Sequence, residues 1–153
     1  LDVGSFPGGW SQISSKIVTN GKILSVDLKK MDKVQNVTFF QCDFLENDTK
    51  EKILNFFGGK LDVIISDMAA DTTGNKSLDC IRTNQLCADL LSFSNQILKN
   101  NGVVISKLFM GDDFLLVKEL AKSKFKKVQF FKPESSRGES KETYIHCVAL
   151  KTL

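Results

Sequence analysis

Four charged side chains each stand at the end of a short apolar run. Asp27 closes Lys22-Ile23-Leu24-Ser25-Val26, and Asp43 follows Val37–Gln41 after one residue. Asp67 follows Leu61-Asp62-Val63-Ile64-Ile65-Ser66, and Lys107 follows Val103-Val104-Ile105-Ser106. A glycine-rich turn, Gly4-Ser5-Phe6-Pro7-Gly8-Gly9, follows the stub Leu1-Asp2-Val3. Glycines there let the backbone approach a ligand and take positive φ. In a dinucleotide-binding turn the second glycine of Gly-x-Gly-x-x-Gly makes room for a pyrophosphate. Phe6 stands at that place, which points to a nucleoside ligand without phosphates. Asp27 comes 18 residues after Gly9, where an acid can accept hydrogen bonds from both hydroxyls of an adenosine ribose. Asp43 can accept one from an adenine amino group.

These residues need a scaffold that brings strand ends together. Strand-like runs at 1–3, 22–27, 37–41, 61–66 and 103–106 alternate with helical stretches at 10–18, 48–57, 79–99 and 114–124. Leu86, Leu90, Phe93 and Ile97 share one face of the longest helix. Gly58-Gly59 and Asn100-Asn101-Gly102 read as helix stops. Such alternation predicts an open α/β sheet, mostly parallel, with helices on both faces. The last runs, 128–132 and 142–150, have no helix between them and are expected to form an antiparallel, hairpin-like edge. In such sheets, ligands bind beyond the carboxyl ends of the strands, where the strand order reverses. Asp27, Asp43, Asp67, Lys107 and the glycine turn all belong to that rim.

Composition sets the bounds. At 153 residues, 42% hydrophobic and 25% charged, the chain is expected to be one folded domain over 1–153. Because the chain opens at Leu1, close to a strand, an upstream segment of a longer parent is expected. The net charge of +3, from 21 Lys and Arg against 18 Asp and Glu, permits nucleic-acid binding without requiring it. Cys42, Cys80, Cys87 and Cys147 form no Cys-x-x-Cys pair, and His146 is the single histidine. No metal site is expected; the thiols read as reduced and mostly buried, as in a cytoplasmic protein. No apolar run approaches the roughly 20 residues that cross a bilayer.

The segment Asp2-Val3-Gly4-Ser5-Phe6-Pro7-Gly8-Gly9-Trp10-Ser11-Gln12 resembles the cofactor motif of the FtsJ/RrmJ-type RNA ribose methyltransferases. Val26-Asp27-Leu28, Asp43-Phe44, Ser66-Asp67-Met68-Ala69, Lys107-Leu108-Phe109 and the stretch from Pro133 to Tyr144 extend the likeness over the whole chain. Ala70-Asp71 departs from the Pro-Asn usual in that family, and Met110 from a frequent glutamine. Both departures bear on the substrate loop and leave the charged positions intact.

The resemblance implies a Rossmann-like methyltransferase fold with a seven-stranded sheet and an antiparallel final strand. It implies S-adenosylmethionine as cofactor, with S-adenosylhomocysteine as product, bound through Gly8, Trp10, Asp27, Asp43 and Asp67. The family's catalytic set is Lys-Asp-Lys-Glu. Asp67, Lys107 and Glu142 match its last three members, and the first lysine has no counterpart in this sequence. Lys107 then acts either as an ammonium that orients a ribose 2′-hydroxyl or as a base that takes its proton. The implied target is a uridine of large-subunit ribosomal RNA, methylated by a cytoplasmic monomer. Lys29, Lys30 and Lys33 near Asp27, and Lys132, Arg137 and Lys141 near Glu142, are candidates for RNA phosphates. Competing readings are a tRNA or mRNA-cap ribose methyltransferase, an NAD-dependent oxidoreductase, and a non-catalytic RNA-binding relative. The oxidoreductase lacks its glycine spacing here and leaves Lys107 and Glu142 without a role.

Overall fold

Leu1-Asp2-Val3 enters the interior of a seven-stranded sheet, in a computed structural model that describes residues 1–152. The elements alternate as the sequence predicts: β1 (Asp2–Val3), α1 (Gly9–Ile17), β2 (Leu24–Asp27), β3 (Thr38–Gln41), α2 (Asn47–Phe57) and β4 (Leu61–Ser66). Then follow α3 (Lys76–Ile97), β5 (Leu98–Phe109), α4 (Phe114–Lys124), β6 (Phe125–Phe131) and β7 (Glu142–Leu150). The strand order is β3-β2-β1-β4-β5-β7-β6. Strands β1 to β5 pair in parallel, and β7 is antiparallel to both β5 and β6. The order reverses between β1 and β4, so the crevice beyond their carboxyl ends is the expected ligand site.

The last two strands form the expected antiparallel edge, and the structure sets their order. β7 does not lie outermost; it inserts between β5 and β6. Side-chain chemistry explains that order. β7 carries Tyr144, Ile145 and Cys147, all buried, whereas β6 reads Phe-Lys-Lys-Val-Gln-Phe-Phe and is largely open to solvent. Lysines on an edge strand discourage pairing with another chain.

Asn100-Asn101-Gly102, read as a helix stop, lies inside a strand. α3 ends at Ile97 and β5 begins at once with Leu98. Leu98 pairs with Leu61 and Val103 with Val63, so β5 bulges between them. The core gathers Val3, Leu24, Val26, Ile64, Val104, Leu108 and Ile145 from the sheet with Ile53, Leu90, Leu91, Ile97, Val117 and Ala121 from the helices. Apolar packing thus fixes the body of the sheet, while its carboxyl rim stays free for polar groups.

Candidate active site

β5 alternates along its length. Val104 and Leu108 are fully buried on one face, so Lys107 emerges on the other. The sequence places Lys107 past the end of its strand. In the structure it lies within β5, because pairing with Tyr144, Thr143 and Glu142 of β7 carries the ladder on to Phe109. The Lys107 ammonium lies 3.0 Å from Asp67 Oδ1 and 3.4 Å from Glu142 Oε2, with its side chain only 13% exposed. Three elements far apart in sequence thus supply one ion triad. Asp67 stands one residue beyond β4, and Glu142 opens β7.

Tyr144 sits opposite Lys107 in the ladder and donates its phenol proton to Asp67 Oδ1 at 2.7 Å. Burial raises its pKa well above the ordinary phenol range; the hydrogen bond to Asp67 and the negative charges of Asp67 and Glu142 add to the effect. The phenol therefore remains a donor at any working pH. Its ring lies between Trp10, at 5.7 Å, and Phe131, at 5.6 Å and 21°. Aromatic packing on both sides fixes the hydroxyl, and the hydroxyl and the ammonium together fix Asp67.

Asp67 also borders a cleft of about 520 Å³, the size class of small-ligand sites. Its wall carries Asp27, Asp43, Asp67, Asp71 and Asp89 against Lys29 and Arg82. Five carboxylates against two cations repel a pyrophosphate and suit a cationic ligand. This charge balance disfavours a dinucleotide and is compatible with a sulfonium-bearing nucleoside. Asp27 Oδ2 accepts the Phe6 N–H at 2.9 Å, and its Oδ1 accepts the Lys29 N–H at 2.8 Å. The carboxylate is thereby oriented, and each oxygen keeps a lone pair for a ribose hydroxyl. Asp43 Oδ1 accepts the Leu45 N–H at 2.9 Å in the same way.

The glycine turn has a second function besides ligand approach. Gly4 has φ +74°, and a β-carbon there would stand 2.7 Å from Met68 Cγ and 2.9 Å from the Met68 backbone. The turn and the segment after β4 thus touch directly, which draws Asp67 towards Asp27. Gly8 (φ +117°) and Trp10 do not line the cleft. Gly8 packs on Met31, and Trp10 on Tyr144. Beneath the turn, Ser11 Oγ donates to Asp2 Oδ2 at 2.7 Å and receives the Ser25 hydroxyl at 2.7 Å. Asp2 is buried with Oδ1 unpaired. Burial lifts its pKa to about 6, against the opposing Ser11 hydrogen bond.

Other functional contacts are invisible to periodicity. Asn84, fully buried in α3, donates to Phe109 O at 2.9 Å and to Asp113 Oδ1 at 2.8 Å, and accepts the Phe109 N–H at 2.7 Å. It clamps the end of β5. Thr83 Oγ1 accepts the Ala70 N–H at 3.0 Å and steadies the loop after Asp67. Two polar residues side by side in the longest helix are the sequence signal that could have found them. Arg82 and Asp89 reach the cleft from α3 without any such signal. The four cysteines are free. Cys87 and Cys147 are buried, which pushes each thiol up to about 12 and makes both inert.

The profile of the FtsJ-like methyltransferases matches residues 1–150. A ribosomal RNA large subunit methyltransferase E of Pelagibacter ubique is 42% identical over 151 residues, which cover 99% of this chain and 74% of that protein. Its namesake from Rickettsia akari is 41% identical over 157 residues, covering 99% and 69%. Among solved structures, a Plasmodium falciparum protein described as a putative ribosomal RNA methyltransferase superposes with a TM-score of 0.85 at 28% identity, covering 97% of this chain and 84% of its own. Human methyltransferase-like protein 13, crystallised with S-adenosylhomocysteine, shares the fold with a TM-score of 0.70 at 18% identity, covering 97% and 70%. With its Rossmann-like sheet and its acid-lined cleft, the chain belongs to the FtsJ-like methyltransferase family, whose cofactor is S-adenosylmethionine.

Proposed function

We propose that this protein methylates a ribose 2′-oxygen of ribosomal RNA, specifically of a uridine in the large subunit, acting as a cytoplasmic monomer. The observation that carries the reading is Lys107 held between Asp67 and Glu142 at the edge of the cleft. The names of the relatives supply the ribosomal RNA, and the resemblance supplies the uridine. Asp27 and Asp43 would hold the adenosine, with Asp67 near the reacting end. Gly8 and Trp10 act from the turn behind it. S-adenosylmethionine, when bound, supplies a methyl group already activated by a positive sulfur.

The remaining work falls to the chain. A 2′-hydroxyl must lie in line with the carbon–sulfur bond, within attack distance. The Lys107 ammonium, aimed by two carboxylates, orients that oxygen and stabilises the negative charge developing on it. The oxygen–carbon bond forms as the carbon–sulfur bond breaks, and sulfur keeps the electron pair. The hydroxyl proton passes to a neighbouring carboxylate as the oxygen attacks, so the oxygen carries negative charge in the transition state and ends as a neutral ether. Glu142 is the carboxylate of the triad that does not also bind Tyr144, which leaves it free to be that acceptor. On this account Lys107 works as a cation and need not lose its own proton. The test is incubation with labelled S-adenosylmethionine and large ribosomal subunits from a strain lacking the enzyme, followed by nucleoside mass spectrometry. The expected product is 2′-O-methyluridine. A methyl on a base, or on no RNA at all, would falsify the proposal.

A further inference from the structure

A second concavity, of about 390 Å³, lies against Glu142 and shares no lining residue with the cleft. Met110, Phe114, Phe130, Phe131 and Lys141 line it together with Glu142. Lys132, Ser140 and Thr143 complete the lining, and of its apolar side chains Met110 is 49% and Phe131 44% exposed. The Phe131 ring stacks on Tyr144 and, still partly exposed, also lines the groove. The register explains why this ring matters. Lys107 on β5, Tyr144 on β7 and Phe131 on β6 are direct cross-strand partners, so all three stand on one face of the sheet. The row runs from the ammonium to an exposed aromatic ring two strands away, about 10 Å along the sheet. That span exceeds the reach from a ribose hydroxyl to its own base and suits the base of a neighbouring nucleotide.

Two cations, Lys132 and Lys141, stand at the groove beside Glu142. The Lys132 ammonium donates to the carbonyls of Gly138 and Ser140 and clasps the β6–β7 loop. The Lys141 carbonyl accepts the Met110 N–H at 2.8 Å, which holds Lys141, itself exposed, against the groove. A flat ring beside a lysine is the usual arrangement for an unpaired base and its phosphate. We propose that this groove takes an unstacked base of the RNA strand, from the nucleotide next to the methylated one, stacked on Phe131 with its phosphate at Lys141. The proposal rests on the RNA reading above and adds a recognition site to it.

Steady-state methylation of unmethylated large ribosomal subunits tests it, with wild type, Phe131→Ala, Phe131→Trp and Met110→Glu compared. In Phe131→Ala the KM for subunits should rise roughly tenfold, the worth of one base–ring stack. In Phe131→Trp it should stay near wild type, because stacking is retained. Met110→Glu, which places a carboxylate in the groove without touching Tyr144, should also raise KM and leave kcat and S-adenosylhomocysteine affinity unchanged. Wild-type KM in both Phe131→Ala and Met110→Glu overturns the proposal. So does a fall in kcat alone in Phe131→Ala, which would make Phe131 only a support for Tyr144. If wild-type protein puts no methyl on ribose, the RNA reading fails and the groove proposal falls with it; if wild type does so and the variants keep its KM, the groove alone fails.

Discussion

At the scale of single residues, the ion triad separates binding from chemistry. Lys107 touches Asp67 and Glu142 and does not line the cleft. Lys107→Ala should therefore lower the single-turnover transfer rate by at least roughly 100-fold, the cost of removing one group that stabilises developing charge. Calorimetric titration with S-adenosylhomocysteine should show its affinity preserved; a near-normal rate would remove Lys107 from the chemistry. Asp27→Ala should do the reverse. It removes a carboxylate oriented by Phe6 and Lys29, and cofactor binding should weaken by about 1–3 kcal/mol. Tyr144→Phe keeps the ring between Trp10 and Phe131 and deletes only the donor to Asp67. Losing a hydrogen bond to a charged group should cost about 2 kcal/mol in kcat/KM. Unaltered kinetics would show that the ammonium alone orients Asp67.

At the scale of elements, the site depends on two loops meeting. The β1–α1 turn and the segment after β4 come from halves of the sheet on either side of the switch point, and Gly4 is where they touch. An alanine there needs a left-handed conformation and must displace the Met68 backbone. Gly4→Ala should destabilise the fold by about 2–5 kcal/mol and weaken cofactor binding as the gap opens. Urea denaturation with and without S-adenosylhomocysteine measures both. A variant as stable as wild type would mean that the post-β4 segment yields freely. Asn84 plays the matching part on the other side, where one amide ties α3 to the end of β5 and to Asp113.

At the scale of the whole molecule, the buried Asp2 links stability to pH. An unfolded aspartate binds its proton only below about 3.8, whereas folded Asp2 keeps it up to about 6. Between these values the folded state holds more protons, so stability falls as pH rises through the window and then stays lowered. The direction is opposite to that of a salt-bridged carboxylate. Asp67 and Asp27 add to the cost of charging Asp2. Asp2→Asn should flatten this dependence and raise stability at pH 7 by about 1–3 kcal/mol. Thermal melts at about pH 3 and about pH 7, either side of that window, test it; a wild type more stable at neutral pH than its variant would contradict the assignment. No helix of the described residues is long and apolar enough to cross a membrane.

The sequence by itself determined the alternation of strands and helices and the rim on which the chemistry stands. Apolar periodicity and strand-end charges are local patterns, so Asp27, Asp43 and Asp67 could be assigned to that rim without coordinates. Motif resemblance added Glu142 and made it a partner of Lys107. Tertiary structure alone decided that β7 inserts between β5 and β6, because strand order follows from competition among surfaces. That insertion sets Tyr144 beside Lys107 and extends β5 past it. It also decided that Gly4 serves contact with Met68, that Gly8 and Trp10 stand off the cleft wall, and that Asn84 clamps β5. Each of these depends on atoms brought together by the fold of the whole sheet, and no local pattern encodes a distance through space.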